Sequence, residues 1–185
     1  MNKRHLAVGV SASPSPQSRS RELVGAVLDH WTRAGLATRR VDLDRLPAEA
    51  LLGRAPDAAL AEALGAVSEA RVLAVATPVY RATYSGLLKV FFDLLPHGAL
   101  AGKIVVPIAT GGSASHQLAL DHGLRPLVAS LGGVTVATGV YASPEQFSGG
   151  KPDDALRARV ERAAEEALEL ISSTPSSLPT FATHA

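Results

Sequence analysis

The sequence predicts an α/β protein: one doubly wound, five-stranded parallel sheet in the order 2-1-3-4-5, with helices on both faces. Three observations predict it. Five apolar runs alternate with segments of helical periodicity, the pattern of strand and crossover helix. The third run, Arg71 to Thr77 (RVLAVAT), is almost continuously apolar, as a parallel strand covered on both faces is. The second, Ala37 to Leu43 (ATRRVDL), carries Arg39, Arg40 and Asp42, which suits the edge of a sheet and not its centre. Run two at the edge gives the stated order, with right-handed crossovers.

The first run, His5 to Ser11, enters a turn, Ser11 to Ser20. Leu23, Val24, Val27, Leu28 and Trp31 then recur at helical spacing. Gly35 closes that helix, glycine being the usual residue just past a helix end. Leu46 to Asp57 is a connector with Pro47 and Pro56. Asp57 is placed to cap a short helix that buries Leu60, Leu64 and Val67. Tyr84 to Leu95 reads as a helix, stopped by Pro96-His97-Gly98. The fourth run, Lys103 to Thr110 (KIVVPIAT), holds Pro107, which lacks a ladder donor and calls for a bulge in a central strand. Ser115 to Leu131 reads as one helix, kinked at Arg125-Pro126. The fifth run is Val134 to Ala142 (VTVATGVYA). After a loop from Ser143 to Pro152, Asp153 caps a last helix with Leu156, Val160, Ala163, Ala164, Ala167 and Ile171 as its buried stripe. Residues 1–172 are expected to form one domain and 173–185, rich in Ser, Thr and Pro, a loosely held tail.

The 185 residues carry a formal net charge of +1, which points to neither a nucleic-acid stripe nor an acidic tail. With no cysteine there can be no disulfide, thiolate metal site or cysteine nucleophile, and the composition fits a reducing, cytoplasmic setting. Asn2-Lys3-Arg4 ahead of Leu6 to Val10 has the outline of a secretory leader. Its apolar part is short and broken by Gly9, so it reads as a first strand. No run reaches transmembrane length, and no membrane partner is expected. GxxxxGK[ST] and GxGxxG are absent after the first run, and no GxSxG elbow occurs. His116 and His122, six apart, do not share a helix face.

In such sheets ligands sit beyond the carboxyl ends of the strands, so the turns after runs one, three and four become one candidate site. The first is Ser11-Ala12-Ser13-Pro14-Ser15-Pro16-Gln17-Ser18-Arg19-Ser20, rich in hydroxyls and leading into a helix N-terminus, which favours a phosphate. It also reads as a Ser/Pro turn that merely caps the helix. The second, Thr77 to Gly86, offers Pro78, Tyr80 and Tyr84 as surfaces for a planar heterocycle, or for solvent or a subunit contact. The third, Thr110-Gly111-Gly112-Ser113-Ala114-Ser115, lets backbone N–H groups approach a ring edge, or is an ordinary flexible turn. A phosphate site, a stacking site and a glycine edge together describe a phosphorylated flavin.

At these turns the chain resembles the NAD(P)H-dependent FMN reductases of the flavodoxin-like fold, in particular those of two-component alkanesulfonate and methanesulfonate monooxygenase systems. The likeness is carried by Ser13-Pro14 with Ser18-Arg19-Ser20, by TPVY at Thr77 to Tyr80, and by YSGLLK at Tyr84 to Lys89. Asp93-Leu94-Leu95-Pro96, ATGG at Ala109 to Gly112, His116 and Asp121 continue it, so that it spans Leu6 to Tyr141. It implies that Ser13, Ser18, Arg19 and Ser20 hold the FMN phosphate, that Pro78, Val79 and Tyr80 line the ring and ribityl chain, and that Thr110, Gly111, Gly112 and Ser113 meet the pyrimidine edge. Lys89 and Asp93, inside a helix, would be structural. Ser15 stands where relatives often carry Arg. His122 stands where the alkanesulfonate reductases have Tyr in a widened helical turn at a subunit interface, which implies either a π-type turn over Asp121 to Leu124 with His122 as a modulator, or an ordinary helix near a proline kink.

The resemblance further implies hydride transfer from nicotinamide to FMN without a side-chain acid or base. Reduced flavin would be supplied to a flavin-dependent monooxygenase, in sulfur metabolism, by a homodimer or homotetramer. The competing expectations are a quinone or azo reductase with tightly bound FMN, and a non-enzymatic flavodoxin-type electron carrier, which is usually strongly acidic where this chain is near neutral. A receiver-type signalling domain needs acidic residues after the first strand, and Ser11 to Ser20 has none.

Overall fold

The computed structural model describes residues 5–173. Strand β1 (Leu6–Ser11) lies between β2 (Ala37–Asp42) and β3 (Val72–Tyr80), all parallel. A two-residue strand β4 (Thr83–Tyr84) folds back antiparallel on the end of β3. On its other edge β3 pairs with β5 (Ile104–Thr110), and β5 pairs with β6 (Val134–Thr135) and β7 (Val140–Ala142). With β6 and β7 as the two halves of the fifth run, this is the order 2-1-3-4-5 expected from the sequence.

The alternation of side chains sorts the core into two layers. Ala7, Val72, Ala74, Ala76, Val106 and Ile108 face α1 (Arg19–Arg33) and α6 (Asp154–Ser173). Val8, Val10, Leu73, Val75 and Val105 face the other layer, formed by the short α2 (Ala48–Leu51), α3 (Ala58–Glu69), α4 (Gly86–Asp93) and α5 (Arg125–Ser130). Gly9 is required where α1 crosses β1: a Cβ there would lie 2.4 Å from Val24 Cγ1. Trp31 Nε1 donates to the Ala164 carbonyl at 3.0 Å, so its polar edge is satisfied where α1 meets α6. Asp57 and Asp153 cap α3 and α6 as expected, accepting from the N–H groups of Leu60 and Leu156. Lys89 and Asp93 form an exposed ion pair on α4.

Several expectations are corrected. The fifth run is not one strand, because the chain leaves the ladder after Val136 and rejoins it as β7 at Val140. Arg125 donates to the carbonyls of Val136 at 2.6 Å and Ala137 at 2.8 Å, while the Glu166 carboxylate accepts the N–H groups of Ala137 at 2.6 Å and Thr138 at 2.9 Å. This break also accommodates Pro107 without a bulge. Lys103 and Val105 turn their carbonyls to Val134 and Val136, so Pro107, two residues on, faces the same side and meets the gap.

Ser115 to Leu131 is not one kinked helix. It is a 3₁₀ turn (Ala114–Gln117), a π-turn (Leu120–Leu124) and α5. The Arg125 N–H reaches back five residues to the Leu120 carbonyl. Pro126 has no N–H for the His122 carbonyl, its partner in α register, so the regular α ladder is already broken at the end of the widened turn. The helix read from Tyr84 starts at Gly86, since Tyr84 belongs to β4. The loop from Ser143 contains a hairpin, β8 (Phe147–Ser148) and β9 (Lys151–Pro152), turned by Gly149 and Gly150 at φ +56° and +80°. Of the expected tail, Ser173 still belongs to α6 and 174–185 lies outside the described residues. Among the described residues no helix is long and apolar enough to cross a membrane.

Burial raises the pKa of Glu166, but the N–H groups of Thr138 and Ala137, the Thr138 hydroxyl and the charge of Arg125 outweigh it and hold the carboxyl below its usual value. A depressed folded-state value stabilises the fold above the unfolded pKa and loses that contribution as pH falls through the folded one. Glu166→Gln should therefore be less stable than the parent at neutral pH, and the gap should narrow as pH drops below 4.5, as urea titrations across that range would show.

Candidate functional site

Three turns meet at the carboxyl ends of β1, β3 and β5. They enclose a cavity of about 350 Å³ lined by Ser13, Ser15, Gln17, Ser18 and Arg19, by Pro78, Val79 and Tyr80, and by Thr110, Gly111 and Gly112. No carboxylate is among the described residues that line it.

The first turn is shaped by its own hydroxyls. Ser13 Oγ accepts the Ser15 N–H at 3.3 Å, and Ser18 Oγ accepts the Arg21 N–H at 3.1 Å as the cap of α1. Each hydroxyl keeps its O–H to donate. The N–H groups of Arg19 and Ser20, in the first turn of α1, have no partner among the described residues. Arg19 holds its guanidinium 5.6 Å from the centre of the Phe147 ring. The site thus offers a cation and several donors to one small region, which suits a phosphate dianion.

Arg21 anchors this turn and escaped the sequence reading. Its Nη1 donates to the Pro16 carbonyl at 2.7 Å, and its guanidinium lies 2.6 Å from Asp44 Oδ1 and 3.2 Å from Asp42 Oδ1. The hydrogen bond to Asp44 and the charges of both carboxylates hold Arg21 above the ordinary arginine value, against desolvation. Arg40 also reaches Asp42, at 3.1 Å. The charges that mark run two as an edge are therefore drawn inward at its carboxyl end, where the Asp42 side chain is only 6% exposed.

The second turn is a hairpin in which Arg81 and Ala82 take φ +50° and +68°. L-residues adopt this left-handed region at a cost. The hairpin leaves Tyr80 at the rim, 49% exposed. Ser85 locks it: its N–H donates to Thr77 Oγ1 at 2.9 Å, and its hydroxyl donates to the Ala12 carbonyl at 2.7 Å, tying the second turn to the first. Thr77 and Ser85 are supports that the sequence signals only as a helix cap, Ser85 ahead of Gly86.

In the third turn the Gly111 N–H is engaged by the Ala142 carbonyl at 3.0 Å, which corrects the expectation that it faces a ring edge. The Gly112 N–H has no partner among the described residues. Gly111 is needed for space, since a Cβ would lie 2.6 Å from Tyr141 Oη and 3.0 Å from His116 Cβ. His116 Nδ1 is buried with no partner among the described residues. Tyr141 donates to the Ser113 carbonyl, and burial raises its pKa.

Two expected contacts do not line the cavity. Ser20 is buried, its Oγ 3.0 Å from Thr110 Oγ1, and joins α1 to β5. Ser113 turns its hydroxyl to Ser115 at 2.9 Å. His122 sits on the π-turn, exposed and outside the cavity lining, while Gly123 beside it packs on Thr83, where a Cβ would meet Oγ1 at 2.5 Å.

Residues 6–148 match the family model described as NADPH-dependent FMN reductase. The chain belongs to that family. An "FMN reductase (NADPH)" of Pseudomonas putida is 38% identical over 161 residues, covering 85% of this chain and 82% of its own. An "NADH-dependent FMN reductase SfnF" of Pseudomonas fluorescens is 46% identical over 108 residues, 58% of each chain. The apo crystal structure of an NADH:FMN oxidoreductase (EMOB) superposes with a TM-score of 0.85 at 40% identity, covering 93% of this chain and 92% of the other. As a member of this family the protein is an oxidoreductase that uses FMN and NAD(P)H.

The strain in the β3–β4 turn gives a direct check. Ala82→Gly should raise stability by about 0.5–1 kcal/mol, relief of the left-handed conformation exceeding the entropy that glycine loses on folding. A higher denaturant midpoint with an unchanged slope would show it.

Proposed function

We propose that this flavin reductase binds FMN in the cavity among the three turns, reduces it at the expense of NAD(P)H, and releases it to a separate flavin-dependent monooxygenase of the sulfonate-desulfonating kind. The observation that carries the proposal is the meeting of all three turns around one cavity free of carboxylates. Ser13, Ser18, Arg19 and the N–H groups at the start of α1 bind the phosphate, with Ser20 acting through its backbone. Pro78, Val79 and Tyr80 orient the ring by stacking. The Gly112 N–H and the backbone of Thr110 to Gly112 meet the pyrimidine edge, Gly111 gives that turn its close approach, and Ser113 supports it from outside the cavity.

When bound, FMN supplies the redox chemistry by accepting hydride from the nicotinamide. The chain's own contribution is orientation of two rings and fixed donors for negative charge. Among the described residues that line the cavity there is no carboxylate or imidazole. The half-exposed Tyr80 at the rim favours exchange of flavin with solvent. The same reading makes the protein a cytoplasmic homodimer or homotetramer in which His122 and the exposed Leu118 near it lie at a subunit contact, His122 modulating the site from there.

Purified protein mixed with NADPH or NADH should oxidise the nucleotide only when free FMN is added, and dialysis should remove the flavin. A yellow cofactor that survives dialysis and supports quinone turnover would identify a tightly bound flavin reductase instead. Failure of either nucleotide to bleach FMN would identify an electron carrier. Arg19→Ala should weaken FMN binding by about 10- to 100-fold, the loss of one charge-assisted hydrogen bond, and leave riboflavin binding unchanged. Titrations of flavin fluorescence would measure both.

A further inference from the structure

A second cavity, of about 530 Å³, opens where the fifth run leaves the sheet, between the π-turn and α6. Its lining contains three arginines, Arg125, Arg159 and Arg162, and one carboxylate, Asp121. Asp121 and Arg125 pair with each other at 2.9 Å, and the other N–H groups of Arg125 serve Thr135, Val136 and Ala137. Arg159 and Arg162, one turn apart on α6, have no ion-pair partner among the described residues. Nearby carboxylates are engaged: Glu166 by the N–H groups of Ala137 and Thr138, Glu165 by His30 at 2.9 Å, Asp154 by Arg157. The small residues Ala137, Gly139, Ala155 and Ala158 leave the space open. Two unneutralised guanidinium groups beside a concave surface call for an anion of low molecular weight.

This cavity leads back towards the first. A smaller one, of about 220 Å³, shares Gln117 and Arg159 with it and reaches Tyr141 and Ser143. Tyr141 Oη packs on Gly111, which lines the flavin cavity. The flavin cavity, at about 350 Å³, is at the small end of the 300–1,000 Å³ usual for ligand sites and already has FMN to hold. The adenosine half of a nicotinamide dinucleotide must lie outside it.

Resting on the functional reading above, we propose that the groove of Arg159 and Arg162 receives the adenosine half of the reductant and holds its 2′-phosphate between the two guanidinium groups, so that this enzyme prefers NADPH. Relatives of both preferences exist at comparable identity, and both arginines lie beyond the residues 6–148 that match the family model. The preference is then a property of this chain's last helix.

The test uses the full chain and the double variant Arg159→Ala/Arg162→Ala, both positions being exposed, with Arg159→Lys/Arg162→Lys as the charge-conserving control. Calorimetry with adenosine 2′,5′-bisphosphate, which carries no nicotinamide, should show binding to the parent, at least about tenfold weaker binding to the alanine variant, and partial recovery in the lysine variant. At saturating FMN the KM for NADPH should rise at least about tenfold in the alanine variant, with kcat and the KM for NADH within about twofold of the parent. No heat with the bisphosphate, an equal loss for NADH and NADPH, or a parallel loss of FMN binding would each overturn the proposal. A parent that reduces FMN with neither nucleotide would defeat the functional reading, and the bisphosphate titration would still decide whether the groove binds a 2′-phosphate.

Discussion

The backbone groups at the carboxyl edge of the parallel sheet must find partners where the ladder ends, and here they find them in neighbouring turns. Ala12 N–H donates to the Ala76 carbonyl at 2.9 Å, the Ala12 carbonyl accepts the Ser85 hydroxyl, and Gly111 N–H donates to Ala142. Buried backbone groups left unpaired are costly, so each bond fixes one turn against the next. The same accounting leaves over the Arg19 and Ser20 N–H groups at the head of α1 and the Gly112 N–H. On the functional reading proposed above, these are the groups that would meet a flavin phosphate and ring edge. The donors of the site are what remains once the scaffold has satisfied itself.

The fifth run shows a comparable trade on the far side of the sheet. Pro107 cannot donate, so a strand beside it gains nothing by staying straight. The chain between β6 and β7 instead bonds to Arg125 and Glu166. Arg125 stands at the end of the π-turn, directly before Pro126. The second cavity lies beside this break and the π-turn, and the arginines of α6 line one wall of it. Both cavities owe their position to places where regular hydrogen bonding stops.

Charge is handled differently at the two. At the first turn the carboxylates of Asp42 and Asp44 are taken up by Arg21 and stay out of the cavity, which keeps its own positive character. Breaking such a partly buried network leaves an uncompensated charge, so its parts depend on one another more than exposed pairs do. Lys89 and Asp93, a solvent-exposed pair with half of each side chain in water, contribute little by comparison.

Period-two and helical patterns, helix caps at Asp57 and Asp153, and the edge character of run two determined the sheet order and both layers of the core, because each rests on neighbours within a few residues. The hydroxyl, proline and glycine turns likewise named most of the cavity lining. What tertiary structure alone decided depends on partners far apart in the chain. Ser20 is drawn behind the wall by Thr110, ninety residues on, Gly111 spends its N–H on Ala142, and Arg21 is recruited by Asp42 and Asp44. The left-handed Arg81-Ala82 turn has none of the glycine or asparagine that announces such a turn locally, so only the pairing of β3 with β4, the packing of Thr83 on Gly123 and the Ser85 bonds reveal it. Local sequence determines which groups could serve the site, and competition among distant groups for the same hydrogen bonds determines which are left free to do so.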